Sequence, residues 1–273
     1  MKPNLNDMNN IITIAKQAGE IIMQFYQKDF SVEYKKNQSP LTEADLASHH
    51  LICGELNKLY PDIPILSEES ADTFTIPDEN ACFWCVDPLD GTKEFIKKND
   101  EFTVNIALIQ NQQPILGVIG VPAKNIVYAA VNGKGGFKQQ RDNELQKIQV
   151  KPQDPNNLTF AVSRSHLDDQ TKAIVDEYQA KMLQAGSALK LTYVAEGLVD
   201  AYPRFGQLML WDISAGFVII KESGGDFIFN NVSEMHFQNK LISSGFVCIS
   251  KNSKFKYQFN NRWKYLLQVA QVL

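Results

Sequence analysis

Trp84-Cys85-Val86-Asp87-Pro88-Leu89-Asp90-Gly91-Thr92 is the most informative stretch of the 273-residue chain. An apolar run, Ala81–Val86, has the residues of a strand and ends in a carboxylate, Asp87. Pro88 removes a backbone donor and forbids further regular pairing, and Asp90 follows three positions after Asp87. Gly91 lets the backbone approach closely as the chain enters a helix predicted over Thr92–Lys97. Two carboxylates at a strand-to-helix corner can share a metal ion, and the free N–H groups of the helix can hold a phosphate beside it. Asp also favours turns and N-caps, so the spacing alone does not decide between these uses.

Upstream, Met8–Phe25 repeats apolar residues at the helical period, with Ile11, Ile12, Ala15, Ala18 and Ile22 on one face. Ser39-Pro40-Leu41 breaks the chain, and Thr42-Glu43-Ala44-Asp45 has capping-box spacing at the head of a helix to about Leu59. A short strand, Ile63–Leu66, ends in Ser67-Glu68-Glu69-Ser70. Downstream, Phe102–Ile109, Ile115–Val121, Ile126–Val131 and Phe137–Gln140 follow through short turns and predict an antiparallel meander. Asn132-Gly133-Lys134-Gly135-Gly136 lacks the full phosphate-loop pattern and reads as a hairpin turn.

Lys151–Asn157, with two prolines among polar residues, is the best boundary. It divides an N-terminal α+β domain, 1–153, from a C-terminal α/β domain, 154–273. Strands are predicted at Thr159–Ser163, Ala201–Arg204, Asp226–Phe229 and Phe246–Ser250, and helices at Asp168–Leu183, Ala188–Glu196 and Ile213–Glu222. This alternation favours a sheet covered by helices. Residues 260–273 have an amphipathic pattern that would pack on its own domain or form a dimer contact.

Lys and Arg number 27 against 31 Asp and Glu, a net charge of −4. Such a chain has no general attraction for nucleic acid or anionic lipid, so an anionic ligand needs a locally built site. With 44% hydrophobic residues, no apolar N-terminal region and no long apolar run, it reads as a cytoplasmic globular protein without a transmembrane segment. Cys82 and Cys85 form a C-x-x-C pattern open to redox or zinc chemistry, but on a strand their thiols point to opposite faces, which favours buried, reduced cysteines. His49, His50, His166 and His236 have no zinc spacing. Glu68, Glu69 and Asp212, the last at a second strand-to-helix corner, are the acids that can complete the Asp87–Asp90 site. A solvated turn and a helix N-cap are their alternative uses. Carboxylates and carbonyls alone suit a hard ion, magnesium before manganese.

DPLDGTKEFI (87–96), preceded by SEES (67–70) and followed by WDISAG (211–216), resembles the lithium-sensitive, magnesium-dependent inositol monophosphatase superfamily. NQSP (37–40), KEFIKKNDEF (93–102), SRSH (163–166), GSALK (186–190), VAEG (194–197) and YPRFG (202–206) narrow the resemblance to its CysQ-type 3′(2′),5′-bisphosphate nucleotidase branch. The resemblance implies a layered αβαβα sandwich. It also implies hydrolysis of the 3′-phosphate of adenosine 3′,5′-bisphosphate to AMP with two or three Mg2+ ions, and sulfated nucleotides as further substrates.

Residue by residue, the resemblance places Glu68, Asp87, the Leu89 carbonyl, Asp90 and Asp212 at metal-holding positions. It places Asp45 and Thr92 at the pair that orients and deprotonates water, and His166, Ser187, Lys190 and Arg204 against the nucleotide or its second phosphate. Gly91 and Thr92 would present N–H groups to the scissile phosphate, and Glu69 would stand behind the ligands. Asp45 is equally the capping residue of its own helix, Lys190 a solvated helix residue and His166 a core histidine. Where the family turn often reads G-S-S-L-K, this chain has Ala188, and residues 255–273 have no counterpart. The implied partner is a small nucleotide and no nucleic acid polymer, with the protein a monomer or homodimer. Loose association with the inner face of the cell membrane stays open on the resemblance. An inositol-monophosphatase-type activity and a catalytically silent binding protein are the competing readings.

Overall fold

The computed structural model describes residues 2–27, 32–34, 40–76, 78, 80–152, 154, 156–229, 240–242 and 245–250. The NQSP stretch except Pro40, His236, position 153 and the C-terminal 251–273 lie outside the described residues. In chain order the first half holds α1 (Leu5–Tyr26), β1 (Val32–Tyr34), β2 (Pro40–Thr42), α2 (Glu43–Leu59), β3 (Ile65–Ser67), β4 (Cys82–Asp90) and α3 (Thr92–Ile96). It continues with β5 (Thr103–Gln110), β6 (Gln113–Val121), β7 (Ile126–Val131), β8 (Gly135–Gln140) and β9 (Gln146–Ile148). The second half holds β10 (Thr159–Ser163), α4 (Asp169–Glu177), β11 (Lys181–Ala185), α5 (Leu189–Ala195), β12 (Ala201–Arg204) and β13 (Leu208–Met209). It ends with α6 (Leu210–Glu222), β14 (Gly225–Phe229), β15 (Leu241–Ile242) and β16 (Phe246–Ser250).

Strands β3 to β9 form one seven-stranded sheet in sequence order. All of its pairs are antiparallel except β3–β4, which is parallel. The second sheet has the order β11-β10-β12-β16-β14 and is mixed. The period of two along each strand sorts side chains onto two faces. Trp84, Val86, Ile106, Leu108 and Val118 face a core shared with Ile11 and Ile22 of α1 and Ile52 and Leu56 of α2. Their neighbours Phe83, Cys85, Ala107, Ile109 and Ile119 face a second core filled by α5, α6 and the second sheet. On that sheet Phe160, Val162, Val247 and Ile249 turn outward to Ile174 and Val175 of α4. The result is a five-layer αβαβα sandwich.

Alternation also separates the two thiols: Cys82 packs against the α1–α2 core and Cys85 is buried in the other, and all four cysteines are free. The helix predicted over Asp168–Leu183 ends instead at Glu177, and Lys181–Ala185 forms β11. Gln179 takes a left-handed conformation, φ 48°, that turns the chain back with no glycine to mark the break. The strand expected to stop at Val86 continues past Pro88, with its register shifted between Asp87 and Asp90. The shift is the irregularity that a residue without a donor imposes. Among the described residues no helix is long and apolar enough to cross a membrane.

Candidate active site

The β4–α3 corner is built to present carboxylates. Pro88, tied by its carbonyl to the buried hydroxyl of Ser48 on α2 at 2.8 Å, holds the turn against the helix that carries Asp45. Asp87 accepts the N–H of Leu89 at 3.1 Å, and Asp90 is met by Thr103 Oγ1 at 3.3 Å and Asn105 Nδ2 at 3.4 Å from β5. Gly91 then takes φ 90° as the N-cap of α3. A Cβ there would stand 3.1 Å from that of Ser187, so the glycine permits the approach of a turn from the second half.

Asp212, at the third position of α6, accepts the N–H of Met209 at 2.8 Å. Its hydrogen bond to the head of α6 and its place in the acidic cluster coexist. Asp87, Asp90 and Asp212 each offer an oxygen, all within 4.8 Å of one another, an arrangement able to hold a metal ion. Burial first, then Glu68, Asp90, Asp212 and Asp45, push the Asp87 carboxyl well above the usual carboxylate range. Burial and then Asp90 push Asp212 up to about 8, against a backbone hydrogen bond and Arg204. Crowded acids of this kind have their electrostatics reversed by a bound divalent ion, which favours the ionised form of every ligand.

A cleft of about 320 Å3 opens over the cluster. Asp45, Glu68, Asp90, Gly91, Thr92, His166, Ser187, Lys190, Arg204 and Asp212 all line it. Asp87 lies beneath, 1% exposed, and the Leu89 carbonyl accepts Thr92 Oγ1 at 3.4 Å. Glu69 does not line the cleft, and neighbouring Ser67 is bonded to His49 Nδ1 at 2.8 Å. Thr42, the first residue of the expected capping box, has its side chain outside the described set.

The cations differ in how they are held. Lys190 is 5% exposed, not a solvated helix residue. Its Nζ donates to the carbonyls of Ser187 at 2.5 Å and Ala185 at 3.3 Å and lies 5.4 Å from the Tyr202 ring. Burial brings its pKa down to about 8, against the pull of Asp90. Arg204 donates through Nη1 to the His166 carbonyl at 3.4 Å, and its buried Nε–H has no acceptor among the described residues. His166 is exposed in the cleft, not buried in a core, and burial of part of the ring, then Lys93 and Arg204, lower its pKa. Sequence reasoning assigned no role to Lys93, Ser163, Ser165, Tyr202 and Gln207, which also line the cleft.

The profile of the inositol monophosphatase family matches residues 5–259. The chain belongs to the inositol monophosphatase family. Within it, the chain is 41% identical over 220 residues to the 3′(2′),5′-bisphosphate nucleotidase CysQ of Shigella flexneri, covering 80% of this chain and 88% of that protein. It is 33% identical over 261 residues to the Haemophilus influenzae protein of the same name, covering 93% and 97%. Among solved structures it resembles CysQ from Bacteroides thetaiotaomicron, described as a bacterial member of the inositol monophosphatase family. The TM-score is 0.76 and the identity 33%, over 92% of this chain and all of that one.

Proposed function

We propose that this family member is a metal-dependent phosphomonoesterase that removes the 3′-phosphate of adenosine 3′,5′-bisphosphate, leaving AMP. The observation that carries the reading is one cleft lined by Asp90 and Asp212, which cluster with Asp87, and by Arg204, Lys190 and exposed His166. Similarity to proteins named 3′(2′),5′-bisphosphate nucleotidase supports the substrate class. Glu68, Asp87, the Leu89 carbonyl, Asp90 and Asp212 would hold two or three Mg2+ ions, a hard ion matched to an all-oxygen donor set. Bound there, the metal supplies activation of water and neutralisation of charge on the phosphoryl and leaving oxygens.

The remaining work falls to the chain. Asp45 and Thr92, both on the cleft wall, orient the attacking water and take its proton. Gly91 and Thr92 turn their N–H groups toward the phosphoryl oxygens, so that the ester bond to the ribose 3′-oxygen breaks in line with attack. The Nε–H of Arg204, without an acceptor among the described residues, and the imidazole of His166 meet the second phosphate and the nucleoside, with Ser187 adding a hydroxyl. In this reading residues 1–153 supply every ligand but Asp212, and residues 154–273 supply the nucleotide contacts. The protein acts in the cytoplasm on a small molecule, as a monomer or homodimer.

The test is phosphate release from adenosine 3′,5′-bisphosphate, inositol 1-phosphate and fructose 1,6-bisphosphate with Mg2+, with and without Li+. A large preference for the nucleotide is expected, with inhibition by lithium. Preference for inositol 1-phosphate would overturn the substrate assignment.

A further inference from the structure

Three of the stretches that narrow the resemblance, KEFIKKNDEF, SRSH and GSALK, meet beside the cleft. Glu101, in the loop between α3 and β5, has a side chain only 12% exposed. It accepts Arg164 twice, Nε at 2.6 Å and Nη2 at 2.7 Å, and the N–H of Gly186 at 2.8 Å. Arg164 Nη2 also donates to the Gln184 carbonyl at 3.0 Å. Glu94 of α3, itself 5% exposed, accepts Ser165 Oγ at 2.6 Å. Two carboxylates from the first half therefore grip two loops of the second. Gly186 lies flat on them: a Cβ there would stand 2.5 Å from Glu94 Cγ and 3.0 Å from the Glu101 carbonyl oxygen.

Both gripped loops lead directly into the cleft. Ser187 follows Gly186 in a left-handed conformation, φ 50°, with Oγ 2.6 Å from Thr103 Oγ1 and its carbonyl held by Lys190. A non-glycine residue keeps that conformation only where its surroundings impose it. Here the Gly186 N–H on Glu101 and the Ser187 carbonyl on Lys190 fix the turn from both sides. Next to Ser165 stands His166, whose carbonyl accepts Arg204.

We propose that Glu101, seconded by Glu94, is a positioning residue for the nucleotide subsite, holding the 164–166 loop and the 186–188 turn so that His166, Ser187 and Arg204 converge on the substrate. This inference rests on the proposed function and extends it. The Glu101 carboxylate bonds Arg164 and Gly186 and reaches Asp90 only through the Ser187 turn and Thr103, so its effect falls on substrate affinity more than on metal activation. Doubly bonded Arg–carboxylate pairs are the stronger class of hydrogen bond and give geometric definition as well as attraction.

The experiment compares wild-type protein, Glu101→Gln, Arg164→Gln and the double variant with adenosine 3′,5′-bisphosphate and with adenosine 3′-monophosphate. It reads kcat, KM and the Mg2+ concentration for half activation. Losing a charge-assisted pair is expected to raise KM for the bisphosphate about tenfold or more in Glu101→Gln. kcat and half activation should both change less than KM. The double variant should be little worse than the worse single, because both residues serve one clamp. Wild-type KM in Glu101→Gln, or an equal loss in metal activation, overturns the inference. Should Glu101→Gln fail to fold, Arg164→Gln leaves the Gly186 hydrogen bond in place, and an unchanged KM there overturns it as well. Wild-type protein that does not hydrolyse the bisphosphate overturns the proposed function itself, a result distinct from variants that match an active wild type.

Discussion

Replacing Asp212 by Asn should stabilise the metal-free protein and disable the enzyme. The amide keeps an oxygen for the Met209 N–H and removes one charge from a cluster whose members lie within 4.8 Å. The folded pKa of Asp212, about 8, stands above the ordinary value of 3.8. Between those values the folded protein binds more protons than the unfolded chain, so stability without metal falls as pH rises through that window. From pH 3.8 to 7 this amounts to three pH units at about 1.4 kcal/mol each, on the order of 4 kcal/mol shared over the coupled acids. For a chain of this size that corresponds to about 5–10 °C in melting temperature. Thermal unfolding in chelator should therefore show Asp212→Asn melting above wild type at pH 8, with the gap closing toward pH 4. In saturating Mg2+ the order should reverse, and phosphate release by the variant should fall at least about 100-fold. A variant less stable than wild type in chelator at pH 8, or one with near wild-type turnover, would refute the reasoning.

Chelation should abolish phosphate release by the wild type and Mg2+ should restore it, which dialysis against chelator followed by titration of the metal measures. Arg204→Ala removes the cation whose Nε–H has no acceptor among the described residues, and should raise KM for adenosine 3′,5′-bisphosphate about tenfold or more while changing that for adenosine 3′-monophosphate less. Gly117→Ala would drive a methyl group into the carbonyl of Ala215 and to 2.9 Å from its Cα. An overpacking cost of about 1–3 kcal/mol is expected, visible as a lower melting temperature.

The layers were legible because they follow from period. Alternation in Phe83–Val86 and Ala107–Ile109 sends neighbours to opposite cores, and the helical repeat of Met8–Ile22 gives α1 one apolar stripe. β11 was not legible: its break from α4 rests on Gln179 at positive φ, a conformation that tertiary contacts impose and composition does not mark. The site divides in the same way. Asp87, Asp90 and Gly91 share one turn, and local chemistry pairs them. That Asp212 lies within reach of them depends on how α6 sits on the first sheet, so its strand-to-helix corner made it a candidate and only the resemblance assigned it to the metal. Glu101 escaped notice because an acid in a polar loop has no local mark until Arg164 and Gly186 close on it.

How α6 sits is itself explained by two missing side chains. Gly117 on β6 lets the backbone of α6 rest directly on the sheet at Ala215, one turn after Asp212. Gly216, the next residue, faces Leu191 of α5, where a Cβ would come within 2.9 Å of the leucine's own Cβ. Backbone against backbone on the sheet side leaves no side chain there to absorb displacement, and the packed Leu191 side chain closes α6 from the α5 side, so α6 is held at a fixed height between them. That height places Asp212 against Asp87 and Asp90 at the end of β4. The same contact sets α5, whose first turn carries Lys190 and through it the Ser187 turn. The acidic cluster and the proposed nucleotide subsite are therefore coupled through the packing of two glycines. For that reason Gly117→Ala should raise the Mg2+ requirement as well as lower the melting temperature, whereas a change confined to the Glu101 clamp should raise that requirement less than it raises KM.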